Sequence, residues 1–185
     1  MADVTIPNIS RSDLGITLDG NIGGLSKNIF LIRADALASE PAITAPAVKV
    51  DAAEDFTFVD DLTEVFATIY HTKDTGVARF ESQGEYDSKS FKQFLEFAIP
   101  TNNEKALQVA RNFLNEDIVC VAKDRNKQLV QIGTIDSPAN CEEVSGGTGK
   151  TGTEARNVTF VLTAENIIPL IILESAPQTV VTPGP

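Results

Sequence analysis

The chain has 185 residues, 42% hydrophobic and 22% charged, close to the globular norm; wholesale disorder is excluded, and one domain can bury a core without disulfides or metals. Fifteen basic and 26 acidic residues give a formal net charge of −11, a field that repels phosphate and argues against gripping nucleic acid or an anionic membrane through general electrostatics. Two cysteines, Cys120 and Cys141, without a partner cluster read as thiols in a reducing compartment.

Met1 to Ser10 has neither a basic nor an apolar region of the kind a signal peptide needs, so synthesis in the cytoplasm is expected. Residues 1–26 read as an N-terminal arm, rich in Asp, Asn, Ser and Gly, with turns at Asp19-Gly20 and Gly23-Gly24. A domain over 27–175 follows, with a long loop over 34–62, and then a Pro-rich tail over 176–185. Asn28 to Arg33 is a strand candidate. Ala34 to Ala53, with Pro41 and Pro46 among Ala, Thr and Val, suits an ordered loop or flexible excursion better than a core element. Asp51, Glu54, Asp55, Asp60, Asp61 and Glu64 form an acidic block that reads as a solvated loop, because the oxygen spacing and Gly turn of a calcium loop are missing.

Glu64 to His71 and Val77 to Tyr86 are β-rich runs around Lys73-Asp74-Thr75-Gly76, the composition of a hairpin turn. His71, the only histidine, stands at the end of the first run and reads as a surface or turn residue, with no companion at ligand spacing. Lys89 to Ile99 fits two periods. Phe91, Phe94, Leu95, Ala98 and Ile99 make a helical stripe; Phe91, Leu95, Phe97 and Ile99 make one face of a strand opposite Ser90, Lys92 and Glu96. The strand is preferred because Phe97 fits only that register and Pro100 closes it.

From Asn102 the period changes to that of a helix. Ala106, Leu107, Ala110, Phe113 and Leu114 form the apolar stripe, with Asn102 or Asn103 as N-cap, and the face Leu107, Ala110, Phe113 and Leu114 is expected to pack on a sheet. Asp117 to Ala122 and Gln128 to Ile132 are strands joined by the charged turn 123–127. Ser145 to Gly152 reads as a loose loop, Arg156 to Thr163 as an alternating strand, and Ile167 to Leu173 as a last buried strand or interface strip, too short to cross a bilayer. The sum is about seven strands and one helix, a mainly β chain forming a sandwich or barrel with one flanking α-helix.

Little in this inventory carries chemistry. Gly146-Gly147-Thr148-Gly149-Lys150-Thr151 approaches a phosphate-binding loop, but Val144 stands where the pattern requires glycine, and a strand follows where a helix N-terminus is needed. One histidine cannot be placed beside either cysteine for acyl transfer. Glycosidase clefts add aromatic platforms, and this chain has no Trp and only Tyr70 and Tyr86. Neither enzyme activity nor a cofactor is expected. Asn8-Ile9-Ser10 and Asn157-Val158-Thr159 match the glycosylation pattern, which has no meaning in a chain that is not secreted.

The run 91–100, the helix 103–114, the strand pair with its Lys-Asp-Arg-Asn turn and Ser-Pro exit over 115–141, and the Gly/Thr loop with closing strand over 148–165 follow one another in an order that resembles the tail tube proteins of bacteriophages, of the type infecting Bacteroidetes-like hosts. The resemblance spans Lys89 to Glu165 and rests on the order of elements; Asn157-Val158 stands where that family usually has Asn-Gly. It implies a structural virion protein, made in the host cytoplasm, that assembles with itself into hexameric rings. Such rings stack into a tube through which DNA passes at ejection, with tape-measure and terminator proteins as further partners and no membrane. On that reading Lys92 and Glu96 line the channel or pair between subunits, and the net acidity lets DNA slide without sticking. Other ring-forming virion proteins (head-tail connector, tail terminator, decoration protein) and a monomeric ligand-binding β-barrel are the alternatives.

Overall fold

The computed structural model describes residues 22–43, 47–50, 55–60, 63–151 and 153–179. The strands are β1 (Leu25–Arg33), β2 (Leu37–Ser39), β3 (Thr57–Phe58), β4 (Ala67–Tyr70), β5 (Val77–Gln83), β6 (Ser90–Pro100), β7 (Ile118–Asp124), β8 (Leu129–Ile132), β9 (Asn140–Gly147), β10 (Asn157–Asn166) and β11 (Ile171–Leu173). The helix α1 spans Glu104–Phe113, and a 3-10 turn covers Ala34–Ala36. The chain is thus mainly β, with three antiparallel sheets and one α-helix among the described residues. A five-stranded sheet has the order β11-β8-β7-β1-β4, a four-stranded sheet the order β5-β6-β10-β9, and β2 pairs with β3.

The strongest alternation lies on β10. Val158, Phe160, Leu162 and Ala164 are buried while the residues between them are half-exposed or exposed, as period 2 requires of a strand with one face on a core. Leu95 and Phe97 of β6 join them, against Ile29 and Leu31 of β1, Cys120 and Ala122 of β7 and Ile132 of β8, so this core fills the space between the two larger sheets. Phe97 and Phe160 are direct cross-strand partners, stacked at 5.0 Å with 12° between their planes. Phe113 of α1 meets Phe160 edge-on at 6.2 Å, which seats the helix beside β10.

Lys89 to Ile99 is a strand, and its two-period ambiguity has a physical cause. Gln93 occupies the inward face with no exposure, while Phe94 is buried on the outward face under charged side chains. Gln93 is satisfied there because its Oε1 accepts from Gly133 N at 3.0 Å and its Nε2 donates to Ile168 O at 2.9 Å.

Four expectations about these elements are corrected. The runs around Lys73-Asp74-Thr75-Gly76 do not form a hairpin: β4 pairs with β1 in one sheet and β5 with β6 in the other. The crossover falls between two successive residues, since His71 N donates to Lys27 O on β1 and Thr72 N donates to Ala98 O on β6. His71 is accordingly buried, not on the surface. Its ring sits at this crossover, with Nδ1 at 2.9 Å from Thr72 O and Nε2 at 2.5 Å from Ser26 O of β1.

The described part of 34–62 is not a plain loop. Ala34, Ala36, Leu37, Val50 and Phe58 are buried in a second core with Phe66, Val119, Val121 and Ile171, which covers the outer face of the five-stranded sheet. β7 is therefore buried on both faces, which explains its unbroken apolar run. Finally, Cys141 to Gly147 forms most of β9, a full strand beside β10, where a loose loop was expected from Ser145 onward.

Residues 1–21 of the predicted arm and 180–185 of the tail lie outside the described residues, as do Asp51, Glu54 and Asp61 of the acidic block. Within the remaining tail, Gln178 O accepts from Phe66 N at 3.0 Å.

Candidate interaction surfaces

The four-stranded sheet ends on both sides in a long strand without a partner strand among the described residues, β5 with seven residues and β9 with eight. Half-exposed apolar side chains flank these margins. Val77 and Phe80 lie on β5, and Leu107 lies on α1 beside β9, bordering a cleft of about 450 Å³ shared with Ala110, Val144 and Val158. Along the sheet the strands alternate in direction, so β5 and β9 run opposite to one another.

The helix forms where predicted, capped by Asn103, whose Oδ1 accepts from Ala106 N at 3.0 Å. Its stripe is wider than the surface beneath it. Ala106 is buried and Ala110 and Phe113 pack against the core, but Leu107 and Leu114 are each 53% exposed, against the expectation that all four residues of the face would be covered. The reason is lateral: α1 rests on the β9 and β10 margin, where the sheet ends, so the two leucines that flank the stripe overhang.

Lys92 and Glu96 lie on the outer face of the four-stranded sheet, away from the core. Each has a partner within the chain: Lys92 Nζ is 2.8 Å from Glu142 Oε2, and Arg79 Nε is 2.8 Å from Glu96 Oε1, with Glu81 also paired to Arg79. The Arg79 guanidinium stacks on the Phe94 ring at 3.7 Å, with the Lys92 ammonium 5.1 Å from it. The hydrogen bond from Lys92 holds the Glu142 carboxyl below its ordinary range. Two bases on this face, Arg79 and Lys92, stand among Glu81, Glu96, Glu142, Glu143 and Glu165, so the face is acidic even after pairing.

The glycine-rich stretch does not form a phosphate cradle. Gly146 and Gly147 belong to β9, the following loop leads into β10, and the Lys150 amide already donates to Glu154 Oε2 at 2.6 Å. Cys120 is buried and burial pushes its thiol up strongly, so it is an inert core residue; the half-buried Cys141 is shifted in the same direction. Among the described residues no group of three His, Cys, Asp or Glu is placed to hold a metal ion, and no helix is long and apolar enough to cross a membrane.

Some features were missed from the sequence: the β9 margin, the buried amides Gln93 and Gln131, and Glu40, which lies in a half-buried site beside Gln131. Gln93, Gln131 and Glu40 are polar residues whose burial comes from elements distant in sequence, and β9 owes its strand character to pairing with β10, so no local pattern announces any of them. Comparison with protein-family models, curated proteins and solved structures returned no match.

Proposed function

We propose that the protein is a structural virion subunit that associates with copies of itself into rings, and that the rings stack into a phage tail tube, the channel for DNA ejection. The observation that carries this reading is the four-stranded sheet, whose two margins run in opposite directions and have no partner strand among the described residues. An even, antiparallel set of strands repeats without interruption when β9 of one copy is laid beside β5 of the next, because the pair so formed is again antiparallel. Rotation about an axis closes such head-to-tail contacts into a ring and removes the exposed edges, which are otherwise a liability for a soluble protein. The apolar groups beside both margins, Val77 and Phe80 on one side and Leu107 on the other, would be covered in the same step.

In this arrangement the acidic outer face, including Lys92 and Glu96, would line the channel. Its surplus of carboxylates repels the DNA backbone, and a chain sliding past meets no fixed cationic grip. The order of elements over Lys89 to Glu165 supports the same reading through its resemblance to tail tube proteins.

Electron microscopy of the purified full chain at rising concentration tests it. Tubes with a regular axial repeat are expected. Isolated rings that never stack would favour a connector, terminator or decoration protein, and monomers at every concentration would refute self-assembly.

A further inference from the structure

Directly opposed residues of neighbouring strands share a face, which sorts the side chains of both sheet margins. On β5, Phe80 stands beside Gln93 and Ala78 beside Leu95, on the face turned toward the core, whereas Arg79 beside Phe94 and Glu81 beside Lys92 lie on the outer face. Phe80 meets Phe91 edge-on at 5.8 Å yet is 48% exposed, because no strand lies beyond β5 among the described residues.

On β9 the positions turned toward the core are Val144, opposite Phe160, and Gly146, opposite Val158. Gly146 brings no side chain, and a Cβ there would meet Asn157 O at 2.9 Å and Val158 Cγ2 at 3.2 Å. The sheet is bare at this point. Over it lies the cleft of about 450 Å³, walled by Leu107 and Ala110 of α1 and by Val144 and Val158. One margin thus ends in an uncovered aromatic ring and the other in a glycine-floored cleft, both on the same face of the sheet. An aromatic side chain across from a strand glycine covers the exposed backbone that the glycine leaves.

We infer that Phe80 of one copy fills this cleft of the next, in the register that sets Phe80 opposite Gly146. The inference rests on the ring reading and adds to it the residues that meet. In this register Glu81 stands opposite Ser145, Ser82 opposite Val144, and Gln83 opposite Glu143, an amide donor against a carboxylate. Only slides of two residues keep the faces matched. With Phe80 opposite Val144, Glu81 would stand directly against Glu143, a destabilising pair of like charges. With Phe80 opposite Glu142, the ring would meet a carboxylate at the irregular step of β9 and leave the cleft empty. With Phe80 opposite Thr148, only Glu81 to Gln83 would remain paired within both strands.

The test joins the margins covalently. Within one chain β5 and β9 are three strand spacings apart, roughly 14 Å, and a disulfide needs Cα atoms within about 7 Å, so any link between them joins two copies. In the full chain carrying Cys141→Ser, with Cys120 buried, oxidation of Glu81→Cys with Ser145→Cys should give a covalent ladder of oligomers. Glu81→Cys with Glu143→Cys should give far less. Phe80→Ser should raise the concentration needed for self-association, read by sedimentation velocity, at least about tenfold. A chain that self-associates but links preferentially through Glu143→Cys, links through neither pair, or assembles unchanged as folded Phe80→Ser overturns this contact and leaves ring formation standing. A chain that is monomeric at every concentration overturns both. The cysteine pairs keep Phe80 in place, so the register stays falsifiable should Phe80→Ser not fold.

Discussion

Gly76→Ala should be among the most damaging single-methyl additions to this chain. A Cβ at Gly76 would lie 2.4 Å from His71 Cε1 and 2.9 Å from Nε2, about 1 Å inside ordinary contact. The ring has nowhere to retreat. It is buried, and the contacts from Nδ1 to Thr72 O and from Nε2 to Ser26 O tie it to the crossover and to β1. Moving it breaks at least one contact with a part-buried carbonyl, and leaving it in place forces an overpacked backbone. Together these effects cost about 2–4 kcal/mol, a fall in Tm of about 4–16 °C for a chain of this size. Urea unfolding followed by circular dichroism, with the slope checked for constancy, measures the change. Gly23→Ala is the control, since a Cβ there meets nothing within 4 Å, and should stay within ~0.5 kcal/mol. In a His71→Ala background the effect of Gly76→Ala should vanish. A loss below ~0.5 kcal/mol in the single variant, or an undiminished loss in the double one, would refute the steric argument.

Phe160→Ala should cost about 3–5 kcal/mol, because the ring is fully buried and touches both Phe97 and Phe113; Phe113→Ala, partly exposed, should cost less, and the order is checked by the same unfolding assay. Leu107→Ser and Leu114→Ser should leave monomer stability within ~0.5 kcal/mol. At least one of them should raise the concentration needed for self-association, read by sedimentation velocity; no change in either would remove the helix from the assembly contact. Stability should also respond to Glu40. Its folded pKa lies above the ordinary 4.5, so between those values the folded state binds more protons than the unfolded one, and stability rises as pH falls through that window. Asp35 and Asp74 act oppositely, held below 3.8 chiefly by hydrogen bonds from Arg33 and Arg125, so their contribution is lost at lower pH. Thermal melts across pH should show a smaller gain, or a larger loss, of stability on acidification toward pH 4.5 in Glu40→Gln than in the unaltered chain.

What the sequence disclosed depended on whether one element could state its own environment. β10 and the inward stripe of α1 could, because alternation or a helical period reports one buried face directly. β6 was readable chiefly through Phe97, the residue that no helical stripe accommodates, with Pro100 closing the strand. β9 was silent: its side chains are mostly exposed, so its strand character comes from pairing with β10 and not from its own residues. The glycine turn after His71 signalled a reversal, but a turn does not say which sheet receives the next strand. Ala34, Ala36, Leu37 and Val50 follow no period that could be read, and their burial is decided by β7 and β11, which arrive more than sixty residues later. For the candidate site the difference is sharper. Lys92 and Glu96 were visible as the polar face of a strand, whereas Glu40 and Gln131 lie 91 positions apart and converge only in the folded chain.

The order in which strands enter the sheets has a consequence during synthesis. β6 emerges with Phe94, Leu95 and Phe97 in place, but its central partner β10 begins at Asn157, with Pro100 opposite Asn157 and Phe91 opposite Asn166. At ~5–20 residues per second the ribosome takes roughly 3–15 s to deliver that partner. Throughout this interval the nascent chain carries an apolar ribbon paired at most to β5. Chaperone occupancy on ribosome-bound chains should therefore rise once β6 clears the exit tunnel and fall when β10 does.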